Sequence, residues 1–116
     1  MKQLLSVLLL SFIFSSSIAQ TKKTETIVIK TKIYCNHCLQ CGSCGPNIKE
    51  AMLGLDGIIK VDINPKENTI AVTYKTSKTT PDKIRKTISE TGFDADDVKA
   101  SPVAYEKLDG CCKANN

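Results

Sequence analysis

The sequence predicts an α+β sandwich in which a four-stranded antiparallel sheet carries two helices on one face. Three observations lead there: short runs that alternate apolar and polar residues, two apolar stretches with helical period that each open on a proline, and the order in which these follow one another. From residue 24 onward Ile27, Ile29, Thr31 and Ile33 share one face while Thr26, Lys30 and Lys32 take the other, the pattern of a strand buried on one side. This strand leads into a cysteine-bearing segment, residues 35–44.

Pro46 suits the first turn of a helix, where a missing amide hydrogen is harmless, and Ile48, Ala51, Met52 and Leu55 follow at helical spacing until Gly54 and Gly57 end it. Ile59, Val61 and Ile63 then alternate with Lys60, Asp62 and Asn64. After a turn at residues 65–68 the alternation resumes as Ile70, Val72 and Tyr74, so the two runs form a hairpin. Thr80 and Pro81 open a second helix as cap and first residue, with Ile84 and Ile88 inward and Lys83, Arg85 and Lys86 outward, and Gly92 closes it. Ala95 and Val98 leave room for one short last strand, and a helical turn near Tyr105 fits the remainder. The order strand, helix, strand, strand, helix, strand is the ferredoxin-like βαββαβ arrangement.

The first residues read as an export signal. Met1-Lys2-Gln3 is a short basic start, residues 4–14 are apolar, and Ser17-Ile18-Ala19 offers small residues for cleavage after Ala19. The apolar run is too short to span a hydrocarbon core of roughly 30 Å, and no second such stretch follows, so no stable membrane insertion is expected after cleavage. Its retention as an anchor is the alternative. The expected organisation is therefore a signal peptide at 1–19, one domain at 24–99 and a cysteine-containing C-terminal tail at 100–116, with the product periplasmic or secreted.

Charge excludes one class of partner. Removing residues 1–19 deletes Lys2 and no acidic residue, lowering the formal charge from +4 to +3. Without Trp and without clustered basic and aromatic residues, the chain lacks the means to bind nucleic acid.

Six cysteines in an exported chain would ordinarily suggest three disulfides. Their spacing points instead to metal chemistry: four stand at Cys35, Cys38, Cys41 and Cys44, and two are adjacent at Cys111 and Cys112, so sulfur is concentrated rather than spread. Cys41 and Cys44, separated by two residues between a strand and a helix, can aim both sulfurs at one point. The unpaired amides and dipole of the helix start favour thiolates, which are soft ligands that prefer copper(I) and similar ions.

Cys41-Gly42-Ser43-Cys44, Ile48, Gly57-Ile58, Val61-Asp62, Val72, Tyr74 and Thr91-Gly92-Phe93-Asp94-Ala95 together resemble the heavy-metal-associated domain family. That family includes copper chaperones, the mercury-binding periplasmic protein and the N-terminal modules of metal-pumping ATPases. The resemblance covers roughly residues 24–99. It implies that Cys41 and Cys44 are the metal ligands, that copper(I) is the leading cargo with zinc, mercury(II) or cadmium as others, and that a metal-transporting ATPase or another metal-binding domain is the partner. Leu39 stands where the family usually has a buried Met, and Phe93 matches the aromatic position of transporter-type members.

The main departure is Cys35-Asn36-His37-Cys38, where the family ordinarily has the end of the first strand and a Gly. Cys35 and Cys38 either add to the metal coordination or form a local disulfide, and His37 is either a ligand or solvated. Cys111 and Cys112 either fold back over the loop as ligands or close on each other as a disulfide. Asp94, Asp96 and Asp97 read as solvated surface rather than a calcium loop. Two rivals stand beside the metal-binding reading. An iron–sulfur protein is opposed by the interval between Cys41 and Cys44, which breaks the usual ferredoxin spacing. An exported thiol–disulfide oxidoreductase using the same Cys-x-x-Cys pair is the main enzyme alternative, opposed by the lack of a proline placed before a later strand. No catalytic triad or phosphate loop is present, so a non-enzyme is expected.

Overall fold

The structure is a computed structural model that describes residues 23–35 and 44–113. The proposed signal segment, His37, Cys38, Leu39 and Cys41 lie outside the described residues. In chain order the elements are β1 (Thr24–Lys30), α1 (Gly45–Leu53), β2 (Ile58–Asn64), β3 (Thr69–Lys75), α2 (Pro81–Glu90) and α3 (Pro102–Glu106), followed by a single 3₁₀ turn at Gly110–Cys112.

The sheet is antiparallel with β3 at its centre, paired with β1 on one side and β2 on the other. Ile70, Val72 and Tyr74 alternate along β3 and are buried, while their neighbours at Thr69, Ala71 and Thr73 belong to the opposite face. Ile29 stands opposite Ile70 and Ile27 opposite Val72 in β1, and Val61 and Ile63 take the corresponding places in β2. Helices α1 and α2 cover this apolar face through Ile48, Met52, Ile84 and Ile88, all fully buried. The Thr80 hydroxyl caps α2 by accepting a hydrogen bond from the Lys83 amide at 3.4 Å. The α+β ferredoxin-like fold is thus the one the sequence implies, and β1 gives way at Lys30 to extended chain in which Thr31, Ile33 and Cys35 keep to the buried face.

Four local expectations need correction. First, the sheet has three strands among the described residues, not four. Ala95 and Val98 only bridge one another across a tight turn, because Asp96 adopts a positive φ of 55° that interrupts any extended run. The edge of β1 is satisfied differently: the Lys30 amide donates to Asp96 Oδ1 at 2.8 Å, and the Asp96 amide donates to the Lys30 carbonyl at 2.7 Å. Second, Asp94 and Asp96 are structural rather than merely solvated. Asp94 Oδ1 accepts from the Ala100 amide at 2.8 Å, and Asp96 Oδ2 accepts from Arg85 Nε at 2.9 Å, which also turns Arg85 from the outward residue expected into a half-buried one. Third, a register shift between Ile58 and Lys60 places Ile58 opposite Tyr74 and turns Ile59 out to solvent, so Ile59 does not share the inward face of Val61 and Ile63.

Fourth, residues 100–113 are packed against the domain. The Ser89 hydroxyl donates to the Lys99 carbonyl at 2.6 Å, the Ser101 amide donates to the Ser89 carbonyl at 2.9 Å, and Leu108 and Cys112 join the core. Gly92, at φ 99°, lets α3 approach closely: a Cβ there would stand 3.0 Å from the backbone of Ala104 and Tyr105. No helix among the described residues is long and apolar enough to cross a membrane.

Burial alone would raise the Asp96 carboxyl pKa, but the hydrogen bonds from Arg85 and the Lys30 amide outweigh it and hold the group below the ordinary carboxylate value. A depressed native pKa means that the unfolded chain binds the proton first, so this contribution is present above the unfolded value and disappears as pH falls through the native one. Asp96→Asn is therefore expected to lower stability by about 1–3 kcal/mol at neutral pH and to flatten the loss of stability below about pH 4, read from urea unfolding across pH. Equal pH profiles for the two proteins would contradict this role.

Candidate metal site

The site is built where the extended chain after β1 leaves the sheet and α1 begins. Cys44 directly precedes α1, its carbonyl accepts the first helical hydrogen bond from the Ile48 amide at 3.1 Å, and Pro46 occupies the first turn without needing a partner for an amide. Cys44 therefore stands at the N-cap position of α1, the end of a helix that favours negative charge. No side chain caps this helix, and its first turn carries no acidic residue. A thiolate at Cys44 would thus be the first anionic group the α1 N-terminus meets.

Cys44 is completely buried and forms a disulfide with Cys112, with the two Cα atoms 6.4 Å apart and a sequence separation of 68. This departs from the expectation that the cysteines serve chemistry before they serve as staples. Of the two alternatives left for Cys111 and Cys112, a mutual disulfide is not formed: the sulfurs of those two lie 3.9 Å apart, and Cys111 is exposed outside the bond. Cys35 is buried in the core, with its thiol in no disulfide among the described residues; Cys38 lies outside them. Phe93 is buried and lines a cleft of about 300 Å³ together with Tyr34, Gly92, Tyr105 and Cys112, placing the expected aromatic residue beside the disulfide. Among the described residues no three His, Cys, Asp or Glu side chains converge as a metal cluster; Cys38 and Cys41 are outside that set.

Residues 37–94, half of the chain, match the heavy-metal-associated domain. The chain belongs to this family. The periplasmic component of the mercuric transport protein of Pseudomonas fluorescens is 29% identical over 93 residues, covering 80% of this chain and 93% of that protein. The copper chaperone CopZ of Staphylococcus aureus is 27% identical over 56 residues, 48% of this chain and 82% of the chaperone. Among solved structures, oxidized MerP from Ralstonia metallidurans CH34 superposes with a TM-score of 0.52 at 24% identity, covering 62% of this chain and 93% of that one, a likeness of fold. The yeast copper transporter domain Ccc2a gives a TM-score of 0.51 at 26% identity, covering 66% of this chain and 97% of its own.

The family match ends at residue 94, so Cys112 lies beyond it. The partner of Cys44 was the functional residue hardest to find in the sequence. The available signals were an even cysteine count and an apolar Leu108 four residues before Cys112. In the loop-closure account, a crosslink of this span stabilises by about 4 kcal/mol. Reducing the protein, or making Cys112→Ser, is accordingly expected to lower the unfolding free energy by about 2–4 kcal/mol in urea titrations run with and without a thiol reductant. An identical midpoint under both conditions would show that the bond does not form.

Proposed function

We propose that the protein is an exported carrier that captures or transfers a soft metal ion through the thiolates of Cys41 and Cys44. The observation that carries this reading is the Cys44 sulfur at the start of α1 within a heavy-metal-associated domain. A helix N-terminus lowers thiol pKa values and stabilises the charge that a thiolate brings, and two thiolates suit a thiophilic ion. The names of the relatives agree on the chemistry and divide on the metal, one being a mercuric transport component and the other a copper chaperone. Copper(I) is the first candidate, with mercury(II), zinc and cadmium accepted by the same sulfurs. Cys35 and Cys38 are additional ligand candidates from the segment that leads into the loop.

The export signal at 1–19, the periplasmic relative and the Cys44–Cys112 bond together support a periplasmic or secreted location, since disulfides persist in oxidising compartments. The relatives are transport and chaperone proteins, which supports delivery to a metal-transporting ATPase or another metal-binding domain rather than catalysis.

One observation favours a second reading, a thiol–disulfide oxidoreductase: Cys44 is engaged in a disulfide. Its partner is the distant Cys112, however, and both sulfurs are buried, whereas a redox enzyme would cycle the Cys41–Cys44 pair at an exposed surface.

The anaerobically reduced protein is expected to bind one copper(I) ion in competition with a chromogenic chelator, with Cys41→Ser and Cys44→Ser each weakening binding at least about tenfold. Absence of uptake, or unchanged binding in the double variant, would overturn the carrier reading; turnover in an insulin-reduction assay without metal binding would establish the enzyme instead.

A further inference from the structure

We propose that in the reduced protein Cys112 is itself a metal ligand, adding a sulfur from the C-terminal segment to the ion held at Cys44, and that the Cys44–Cys112 disulfide is the closed state of that same site. The inference rests on the reading that Cys44 ligates a soft metal, and it extends the ligand set beyond the family match, which ends at residue 94.

Geometry comes first. Two sulfurs bound to one metal through bonds of about 2.3 Å stand about 4 Å apart. Backbones that allow a disulfide at a Cα separation of 6.4 Å bring the Cys44 and Cys112 sulfurs within that span once the bond is opened, with only small side-chain adjustments. Both residues are buried, at 0% and 1% exposure, so an ion between them would be withdrawn from bulk water, with the cleft at Cys112 as its approach among the described residues.

The position of Cys112 does not depend on the disulfide. The chain that carries it is held by the Ser89 hydroxyl and carbonyl, by the Asp94 carboxylate on the Ala100 amide, by the close seat of α3 over Gly92 and by burial of Leu108. Near its end the Lys113 ammonium donates to the Glu106 carbonyl at 2.9 Å. None of these contacts involves the disulfide, so on reduction the released thiol is expected to stay beside Cys44 instead of drifting away with a loose tail.

The exchange chemistry is complete with a low-molecular-weight thiol as reductant. A thiolate reaching through the cleft lined by Tyr34, Phe93, Tyr105 and Cys112 attacks the Cys112 sulfur; a mixed disulfide forms there, and the bond to Cys44 breaks with its electron pair leaving on Cys44. The start of α1 stabilises Cys44 as the leaving thiolate. A second reductant thiolate attacks the mixed disulfide, so that two thiols are oxidised to one external disulfide and the protein gains two thiols. Binding of the ion then displaces the protons that remain on the ligating sulfurs. Metal capture and reduction are thereby coupled: the site opens only where thiols prevail, and oxidation withdraws two of its sulfurs.

The test uses the full chain, reduced, freed of reductant under anaerobic conditions and loaded with one equivalent of cadmium(II), with sulfur ligands counted by X-ray absorption. The expected result is at least three sulfurs in the wild type, one fewer in Cys112→Ser with at least tenfold weaker cadmium binding, and wild-type values in Cys111→Ser. Cys112→Ser lacks the crosslink as the reduced wild type does but buries a hydroxyl in its place, so matching circular dichroism spectra of the two reduced proteins establish an equal fold. An unchanged sulfur count and affinity in Cys112→Ser, or a loss seen in Cys111→Ser instead, would overturn the assignment while leaving metal binding at Cys44 intact. No cadmium uptake by the reduced wild type would sink the underlying carrier reading together with it. The oxidised chain, its crosslink confirmed by mass, is expected to bind cadmium at least a hundredfold more weakly until a thiol is added; equal binding would refute the closed state.

Discussion

Burial of one face of β3 beneath α1 and α2 fixes everything near the metal site. Ile70, Val72 and Tyr74 offer a continuous apolar row, and Ile48, Met52, Ile84 and Ile88 close over it. Because Ile48 and Met52 lock the rotation of α1, the residue just before that helix has little freedom, and Cys44 is held at the N-terminal end of α1. A soft-metal site needs this rigidity, since thiolates that wander lose the geometry that lets them share an ion. The same layer anchors Ser89 on α2, from which the C-terminal segment is hung.

Elements with strong local signals were legible in the sequence. Period-two runs at Ile27–Ile29 and at Ile70, Val72 and Tyr74, and prolines opening both main helices, gave the order of elements and hence the fold. What was not legible depended on long-range geometry. Alternation cannot reveal a bulge, so Ile59 was assigned to the wrong face, and nothing local distinguishes the solvated aspartate expected at position 96 from one that substitutes for a missing strand. Two hydrogen bonds between Asp96 and Lys30, one donated by each amide, with Arg85 behind them, cover an edge that an apolar strand was expected to cover.

The cysteines divide along the same line. The position of Cys44 before a helix follows from sequence spacing alone, and so does its suitability as a thiolate. Its bond to Cys112 does not, because the tail lies 68 residues away and its docking depends on Gly92, Ser89 and Leu108 acting together. Dense sulfur was read as chemistry before crosslinking, and the crosslinks considered were local ones, whereas the bond that forms joins Cys44 to the distant Cys112. Cys112, which lies beyond the family match, supplies the thiol on which the proposed dependence on redox conditions rests.

The claim on which the functional account turns is that the sulfurs of Cys41 and Cys44 hold the metal. Alkylation rates at individual cysteines of the reduced protein, mapped by peptide mass spectrometry with and without one equivalent of copper(I), test it most directly. The account predicts that copper(I) slows labelling of Cys41 and Cys44 by at least about tenfold while exposed Cys111 is labelled as before. Labelling of Cys41 and Cys44 at the metal-free rate in the copper-loaded protein would contradict it.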